Sequence, residues 1–243
     1  MVTHNADALL VQSLRSVEKV AEEVIVVDAG STDRTLEILR SFKITAVRAH
    51  SNHLGRNKSK ALSLATNELV LSLDSDEILS PSLIREIRKL KERRVIPDGY
   101  IIPFHNHFLG KRLRHGGENY KMIRLARRCK VRVKNVSVHE SLLLNSANIE
   151  LLQSPILHYS YRSIFQMFRK FTTYALNDAD ERFKRNESSS VKKMILYPIH
   201  MFWARFIQDE GYKDGIFRIP LDFGFAYMEL LTYTALAVKN INK

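Results

Sequence analysis

Leu69-Val-Leu-Ser-Leu-Asp-Ser-Asp-Glu77 is a short apolar run that ends in three acids. A run of this length bounded by polar residues reads as a buried strand. Its carboxylates then sit where the strand hands over to a loop. Outward on the N-terminal side, residues 57–66 carry Ala61, Leu62, Leu64 and Ala65, a helical pattern. Before that, Ile44-Thr-Ala-Val47 and Val24-Ile-Val-Val-Asp28 read as strands, with a helix face at Leu36, Leu39 and Phe42 between them. Leu10, Ser13, Leu14, Val17, Val20 and Ala21 recur at helical spacing. On the other side, Ser80-Pro81 is an N-cap with Pro at the first helical position, continued by Leu83, Ile84, Ile87 and Leu90, and Gly99-Tyr-Ile-Ile-Pro-Phe104 is a fourth strand. Strands alternating with helices predict an α/β fold with a parallel, doubly wound sheet.

After this half the pattern changes. From 105 to 150, short β-like pieces (120–125, 130–133 and 136–138) alternate with Gly and basic turns, and from Tyr161 onward the chain reads as helix, broken at Glu187-Ser-Ser-Ser190. The expected organisation is a catalytic-type domain over 1–158, with halves 1–104 and 105–158, followed by a helical, aromatic-rich region over 159–243. Of 22 Phe, Tyr and Trp, 17 fall between Tyr159 and Tyr233. The apolar stretches 194–206 and 219–238 are not bilayer spans: the first is too short and holds Pro198 and Arg205, and the second holds Asp222 and Glu229.

Composition narrows the class further. The chain has 243 residues, 45% hydrophobic and 26% charged, with nine Gly and six Pro, which excludes collagen-like and disordered classes. One cysteine, Cys129, excludes a disulfide framework and a CxxC site. With no basic head or apolar run at the start, a reducing cytoplasm is the expected compartment. The net charge of +12 is concentrated: residues 85–134 hold 16 Lys and Arg against 4 Asp and Glu. Such a basic face suits nucleic acid, anionic lipid or a phosphorylated substrate.

Ligands of open α/β sheets bind outside the carboxyl ends of the strands. Three polar clusters stand there: Thr3-His4-Asn5, Asp28-Ala-Gly-Ser-Thr-Asp33 and Asp74-Ser-Asp-Glu77. Asp74 and Asp76 are two apart, so an extended chain would turn both to one face. Together they would make a hard-cation site for Mg²⁺ or Mn²⁺ on phosphate oxygens. The plainer reading is that acids precede the helix at Ser80, where its dipole favours them. Ser31 or Thr32 caps the next helix, whereas Asp28 closes an apolar strand and suits a nucleobase or ribose. Gly55-Arg-Asn-Lys58 offers Arg56 or Lys58 to a pyrophosphate; either is equally a solvated basic residue.

V-T-H-N, V-D-A-G-S-T-D-R-T and G-R-N-K-S-K-A-L-S-L-A-T-N-E-L-V-L-S-L-D-S-D-E together resemble family 2 glycosyltransferases of the GT-A fold. Within that family the chain is most similar to the small bacterial lipopolysaccharide-core branch, which includes inner-core β-1,4-glucosyltransferases. Y-K-M-I-R-L-A-R-R, V-H-E, L-H-Y-S-Y and G-Y-K-D-G resemble the same branch. The resemblance implies a GT-A doubly wound mixed sheet with a C-terminal helical region. It implies that Thr3, Asn5 and Asp28 hold base and ribose, that Asp74 contacts the nucleotide, and that Asp76 binds Mg²⁺ or Mn²⁺ bridging the diphosphate. Glu140 falls where the family places its catalytic base. His139 either orients Glu140 or the metal, or packs as an ordinary histidine. Family members open with a fuller first strand than the Met1-Val2 that precedes Thr3 here, so either the start is placed too late or the first strand is truncated. The Q-x-x-R-W motif of processive synthases is absent, which points to transfer of one sugar.

The expected activity is inverting transfer of one hexose from a nucleotide-diphosphate donor, with UDP-hexose the leading candidate, to a lipopolysaccharide core or similar glycolipid or oligosaccharide. The basic window and amphipathic helices such as 164–175 suggest an anionic membrane surface as partner, on the inner face of a bacterial membrane. Two alternatives stand beside it: a polyprenyl-phosphate glycosyltransferase, and a basic nucleic-acid- or membrane-binding protein without catalysis. No nucleic-acid-recognition motif accompanies the charge, so nucleic acid is not an expected partner.

Overall fold

The computed structural model describes residues 1–49, 53–134 and 141–242. The strand expected over 136–138 therefore lies outside the described residues, as do His139 and Glu140. In chain order the first half runs β1 (Val2–Thr3), α1 (Asp7–Val17), β2 (Val27–Asp28), α2 (Thr35–Ser41), β3 (Val47–Arg48), α3 (Leu54–Leu64), β4 (Leu69–Leu71), β5 (Glu77–Leu79), α4 (Pro81–Leu90) and β6 (Gly99–Phe108). Then follow β7 (Lys111–Arg112), β8 (Lys121–Arg127), β9 (Val131–Val133), β10 (Leu142–Leu144), β11 (Ile149–Leu151) and β12 (Ile156–Tyr161). Three long helices complete the chain: α5 (Ile164–Lys184), α6 (Val191–Trp203) and α7 (Ile219–Ile241).

The chain divides into two units, Met1–His105 with Tyr120–His158, and Asn106–Asn119 with Tyr159–Lys243. Residues 106–119 group with the helical unit rather than with the rest of 105–158.

In the first unit β1, β2 and β3 form a parallel sheet, with Thr3 opposite Asp28 and Asp28 opposite Arg48. The expected five-residue strand at 24–28 shrinks to Val27–Asp28. A ladder extends only as far as its neighbours supply partners, and β1 supplies two. The second sheet is mixed, in the order β4-β8-β6-β12-β5 with β11 parallel to β6. β4 runs antiparallel to β8, with Leu71 opposite Leu125, and β12 antiparallel to β5, with His158 opposite Glu77. Only part of the sheet is thus parallel; the added antiparallel strands come from the short β pieces past residue 105. Ser80 caps α4 as its sequence predicts, its Oγ accepting the Leu83 N–H at 3.1 Å. That helix buries Leu83, Ile84, Ile87 and Leu90, which join Val17, Leu73, Tyr100, Ile102 and Phe104 in the main core.

The helical unit is built on α5 against α7. At Gly224 an added Cβ would stand 2.8 Å from both Met167 and Phe171, so glycine sets how closely these helices approach. Phe108, Leu113, Met167, Phe171 and Leu221 form its core. Arg218 is wholly buried there. Its Nε donates to Asp222 at 2.9 Å, Nη1 to the His115 carbonyl at 2.8 Å and Nη2 to the Gly116 carbonyl at 2.9 Å. Among the described residues, no helix is long and apolar enough to cross a membrane.

Candidate active site

The first two polar strand ends form one hydrogen-bonded body. Asp28, 4% exposed, closes β2 and accepts the Thr3 hydroxyl at 2.9 Å and the Ser31 hydroxyl on Oδ1, while Oδ2 accepts the Gly30 and Ser31 N–H groups, each at 2.9 Å. Gly30 permits this fold-back because its φ is +88°, a region that side chains disfavour. Asn5, itself at φ +50°, ties the first loop to the second: its N–H donates to Ser31 Oγ at 2.9 Å and its Oδ1 accepts the Thr32 N–H at 2.8 Å. Asp33 then accepts the Asp7 N–H at 3.1 Å and the Thr35 N–H at 3.0 Å, serving the N-terminal turns of α1 and α2 together. Burial pushes the Asp28 carboxyl up, but the hydrogen bonds from Ser31, Thr3 and Gly30 outweigh it and hold the group below the ordinary range.

The third strand end is organised by charge. The two-residue alternation expected of Asp74 and Asp76 does not occur, because the chain turns there: the Glu77 N–H donates to the Asp74 carbonyl at 3.1 Å, and the Asp74 N–H to Glu77 Oε2 at 2.9 Å. Asp74 is held by Lys58 Nζ at 2.7 Å and by Arg124 Nη2 at 3.4 Å. The same Arg124 nitrogen reaches buried Glu77 at 2.6 Å. Burial opposes charge on Asp74, yet Lys58 and Arg124 bring its carboxyl down to about 2. Glu77 goes the other way, pushed up by burial and only partly offset by Arg124.

Asp76 faces elsewhere. Its Oδ1 lies 3.6 Å from His158 Nε2, and the two side chains are 28% and 20% exposed. Burial would lower the His158 imidazole, but Asp76 outweighs it and raises the group above its ordinary value, with Glu77 and Asp74 adding. Tyr120 Oη stands 3.3 Å from His158 Nδ1, a contact that orients the ring. Carboxylate oxygen and imidazole nitrogen both ligate first-row divalent ions, and Mg²⁺-type sites commonly take one or two protein ligands and complete the shell with substrate phosphate and water. The Asp76–His158 pair fits that donor set. Asp74, committed to two cations, does not. Among the described residues, no group of three or more His, Cys, Asp or Glu converges.

A cavity of about 170 Å³ lies elsewhere in this unit, lined by Val24, Ile25, Leu69, Leu71, Leu73 and Leu125 among others. Its wall is mostly apolar, with Glu22, Glu23, Lys58 and Lys91 also on it, and none of Thr3, Asp28, Asp74 or Asp76 lines it, so it is not the polar site.

The structure joins Thr3, Asn5 and Asp28, which the resemblance places at base and ribose, in one hydrogen-bonded cluster. Arg56 lies exposed in the first turn of α3, whose cap is His53 Nδ1, accepting the Arg56 N–H at 3.3 Å. Lys58, the other cation offered to pyrophosphate, is instead buried under Asp74. His139 and Glu140 lie outside the described residues. Two residues were missed in role, Arg124 and His158. Both sit inside stretches already singled out, Y-K-M-I-R-L-A-R-R and L-H-Y-S-Y, and their pairing with the Asp74–Glu77 turn needs the strand order β4-β8 and β12-β5.

Comparison with known proteins agrees with this architecture. Residues 1–152 match the model of glycosyl transferase family 2. An uncharacterized glycosyltransferase of Rickettsia typhi is 27% identical over 274 residues, covering 100% of this chain and 88% of that protein. One from Rickettsia prowazekii is 26% identical over 268 residues, with the same coverage. A poly(ribitol-phosphate) β-N-acetylglucosaminyltransferase, TarS of Staphylococcus aureus, is 30% identical over 95 residues, covering 35% of this chain and 17% of that one. The crystal structure of TarS 1–349 matches with a TM-score of 0.47 at 15% identity, covering 100% of this chain and 90% of that one. The α/β architecture with its polar strand ends, and a family match over most of the chain, lead to one statement: this protein is a glycosyltransferase with the GT-A fold, and the chain belongs to glycosyl transferase family 2.

Proposed function

We propose that the enzyme transfers a single hexose, with inversion, from a nucleotide-diphosphate donor to a lipopolysaccharide core or similar surface glycan. UDP-hexose is the proposed donor. The observation that carries this reading is the Asp76–His158 pair, partly exposed beside a turn whose other carboxylate is already neutralised. In this reading Thr3 and Asn5 border the base and ribose, and Asp28 acts through the loop it folds. Asp74 borders the nucleotide, and Arg56 meets the diphosphate at the first turn of α3. Asp76 and His158 would hold Mg²⁺ or Mn²⁺. When bound, such an ion neutralises charge on the departing nucleoside diphosphate.

Glu140 is proposed as the base. The acceptor hydroxyl oxygen attacks the anomeric carbon, its proton passes to the Glu140 carboxylate, and the bond from that carbon to the diphosphate oxygen breaks with its electron pair leaving on the diphosphate. His139 stands beside it in sequence as the accessory group. The partial relative named as a β-N-acetylglucosaminyltransferase supports including an N-acetylated hexose among the donors tested. The basic window over 85–134 supports a peripheral position on the anionic inner face of a cell membrane.

Calorimetric titration of UDP with and without Mn²⁺, on wild type and Asp76→Ala, tests the donor site. Metal-dependent UDP binding that disappears in the variant is the expected result. Equal UDP affinity in both proteins, with and without metal, would overturn it. Turnover of UDP-glucose and UDP-N-acetylglucosamine with a core oligosaccharide then separates the donors, and a polyprenyl phosphate acceptor tests the closest rival.

A further inference from the structure

Helix α6 breaks the usual rule for a helix in a folded unit. Amphipathic helices bury their apolar stripe, yet not one residue of Val191–Trp203 is buried. Val191, Ile195, Ile199, Trp203 and Ile207 follow one another at four-residue spacing, through the helix and into the wider turn Ala204–Gln208. They are 69%, 55%, 61%, 50% and 46% exposed. Residues four apart form one continuous ridge on a helix surface, so these five side chains make an apolar ridge facing solvent. Exposed apolar residues scattered singly need no explanation, whereas a contiguous row marks a surface that something covers.

The charge of the segment indicates what covers it. From Val191 to Gln208 there is no Asp or Glu, while Lys192 and Lys193 open the helix. Lys192 is exposed and falls on the same side as the ridge at helical spacing. Trp203, on the ridge itself, adds an amphipathic ring of the kind that settles at the boundary between headgroups and acyl chains, whereas Tyr197 turns away to pack on Tyr233. The helix is too short to cross a bilayer, and no described helix qualifies as a span. An apolar row with Lys192 at one end, Trp203 on it and no acid describes a helix that lies in the plane of an anionic membrane.

We propose that the Val191–Ile207 ridge is the membrane-docking surface of this enzyme, seated at the headgroup–acyl boundary of an anionic bilayer with Lys192 at the lipid phosphates. This deepens the peripheral placement proposed above and is independent of the donor chemistry. It also moves the contact from residues 164–175, expected from sequence, to α6, since Met167 and Phe171 of α5 are buried in the core of the helical unit.

Trp203 is the sole tryptophan, so its emission reports on the ridge directly. The full chain is mixed with phosphatidylcholine vesicles, with or without 30 mol % phosphatidylglycerol, at low salt, and both sedimentation and tryptophan emission are read. The expected result is co-sedimentation with anionic vesicles and a blue shift of Trp203 emission. Both should fall at least ten-fold in Ile195→Asp/Ile199→Asp, with far-UV circular dichroism and Tm unchanged because both sites are exposed. Lys192→Ala should weaken the anionic preference by a smaller factor. A wild type that stays in the supernatant with unaltered emission would overturn the proposal. So would equal partitioning by the double variant, or a dimer in solution that the double variant dissolves, which would make the ridge a protein interface. UDP titration on the same samples keeps the two readings apart: vesicle binding without UDP binding would sink the donor assignment alone.

Discussion

Two clusters of buried charge, one in each unit, look alike as sets of residues and differ in what they leave open. In the helical unit, Arg205 and Arg218 stand among Glu118, Asp214 and Asp222, and every nitrogen of Arg218 is spent on a carboxylate or a backbone carbonyl. The Arg218 and Asp222 side chains are 0% exposed. Nothing is left with which to meet a ligand. In the other unit, Lys58 and Arg124 neutralise Asp74 and Glu77 in a comparably tight arrangement, but the turn they stabilise projects Asp76 toward His158 with both side chains partly reachable. A closed network staples a fold. A closed network with one open pair at its rim holds a site in place.

Substitutions can break this contrast. The largest stability loss is expected at Arg218→Met, which strips Asp214 of its cation and leaves Asp222 with Arg205 alone; removing one partner of a buried pair costs about 3–5 kcal/mol. Urea denaturation should show it as a lower midpoint. His158→Phe should instead leave the midpoint nearly unchanged and raise the Mn²⁺ concentration needed for UDP binding by about ten- to hundred-fold, the range seen when groups around a metal are altered; calorimetry at several Mn²⁺ concentrations reads it. Between these two lies Asp33→Ala. It removes the acceptor shared by α1 and α2 and should cost about 1–2 kcal/mol, measured as a Tm decrease.

The pH dependence sharpens the same point. The Asp33 carboxyl, which burial pushes up but hydrogen bonds from Thr35 and Asp7 bring below its ordinary value, binds its proton less tightly in the folded chain than in the unfolded one. Its contribution is therefore present above the unfolded carboxylate pKa of about 4 and is lost as pH falls through the lower folded value. Acid denaturation followed by circular dichroism should show a shallower loss of stability below about pH 4 in Asp33→Ala than in wild type. Of the three stability losses, the smallest is expected at Ser80→Ala, about 1 kcal/mol from loss of the α4 cap, read as a Tm decrease.

Much of this was legible in the chain. The alternation of β-branched runs with 3.6-period helices places β2, β4, β6 and α4. The Ser80-Pro81 cap marks a helix start to the residue, and the strand-end rule picks out Thr3-His4-Asn5 and Asp28–Asp33 as two polar strand ends, which the structure joins by hydrogen bonds. The strand lengths were not legible, because Val24-Ile-Val carries the pattern of a strand but meets its neighbours only through the Ile25 and Val26 carbonyls, which accept from Met1 and Val47. The turn at Asp74–Glu77 was hidden because alternation assumes an extended chain. His158 and Arg124 were hidden for a different reason. Their importance comes from antiparallel partners tens of residues away, and local spacing carries no trace of which strand lies beside which.

Arg124 and Glu77 are 47 positions apart in the chain and share one hydrogen bond at 2.6 Å inside the protein. That distance has a consequence for how such a chain changes over generations. An apolar replacement at Arg124 leaves a buried carboxylate without its cation, and one at Glu77 leaves a guanidinium short of its acceptor. Each single step is harmful, and replacing both still takes Arg124 from Asp74 and the Glu77 acceptor from the Asp74 N–H, so the two residues are tied to the turn as well as to each other. Relatives that keep Asp74 in this turn should therefore keep both residues, and a descendant with only one of them should carry a compensating change beside Asp74.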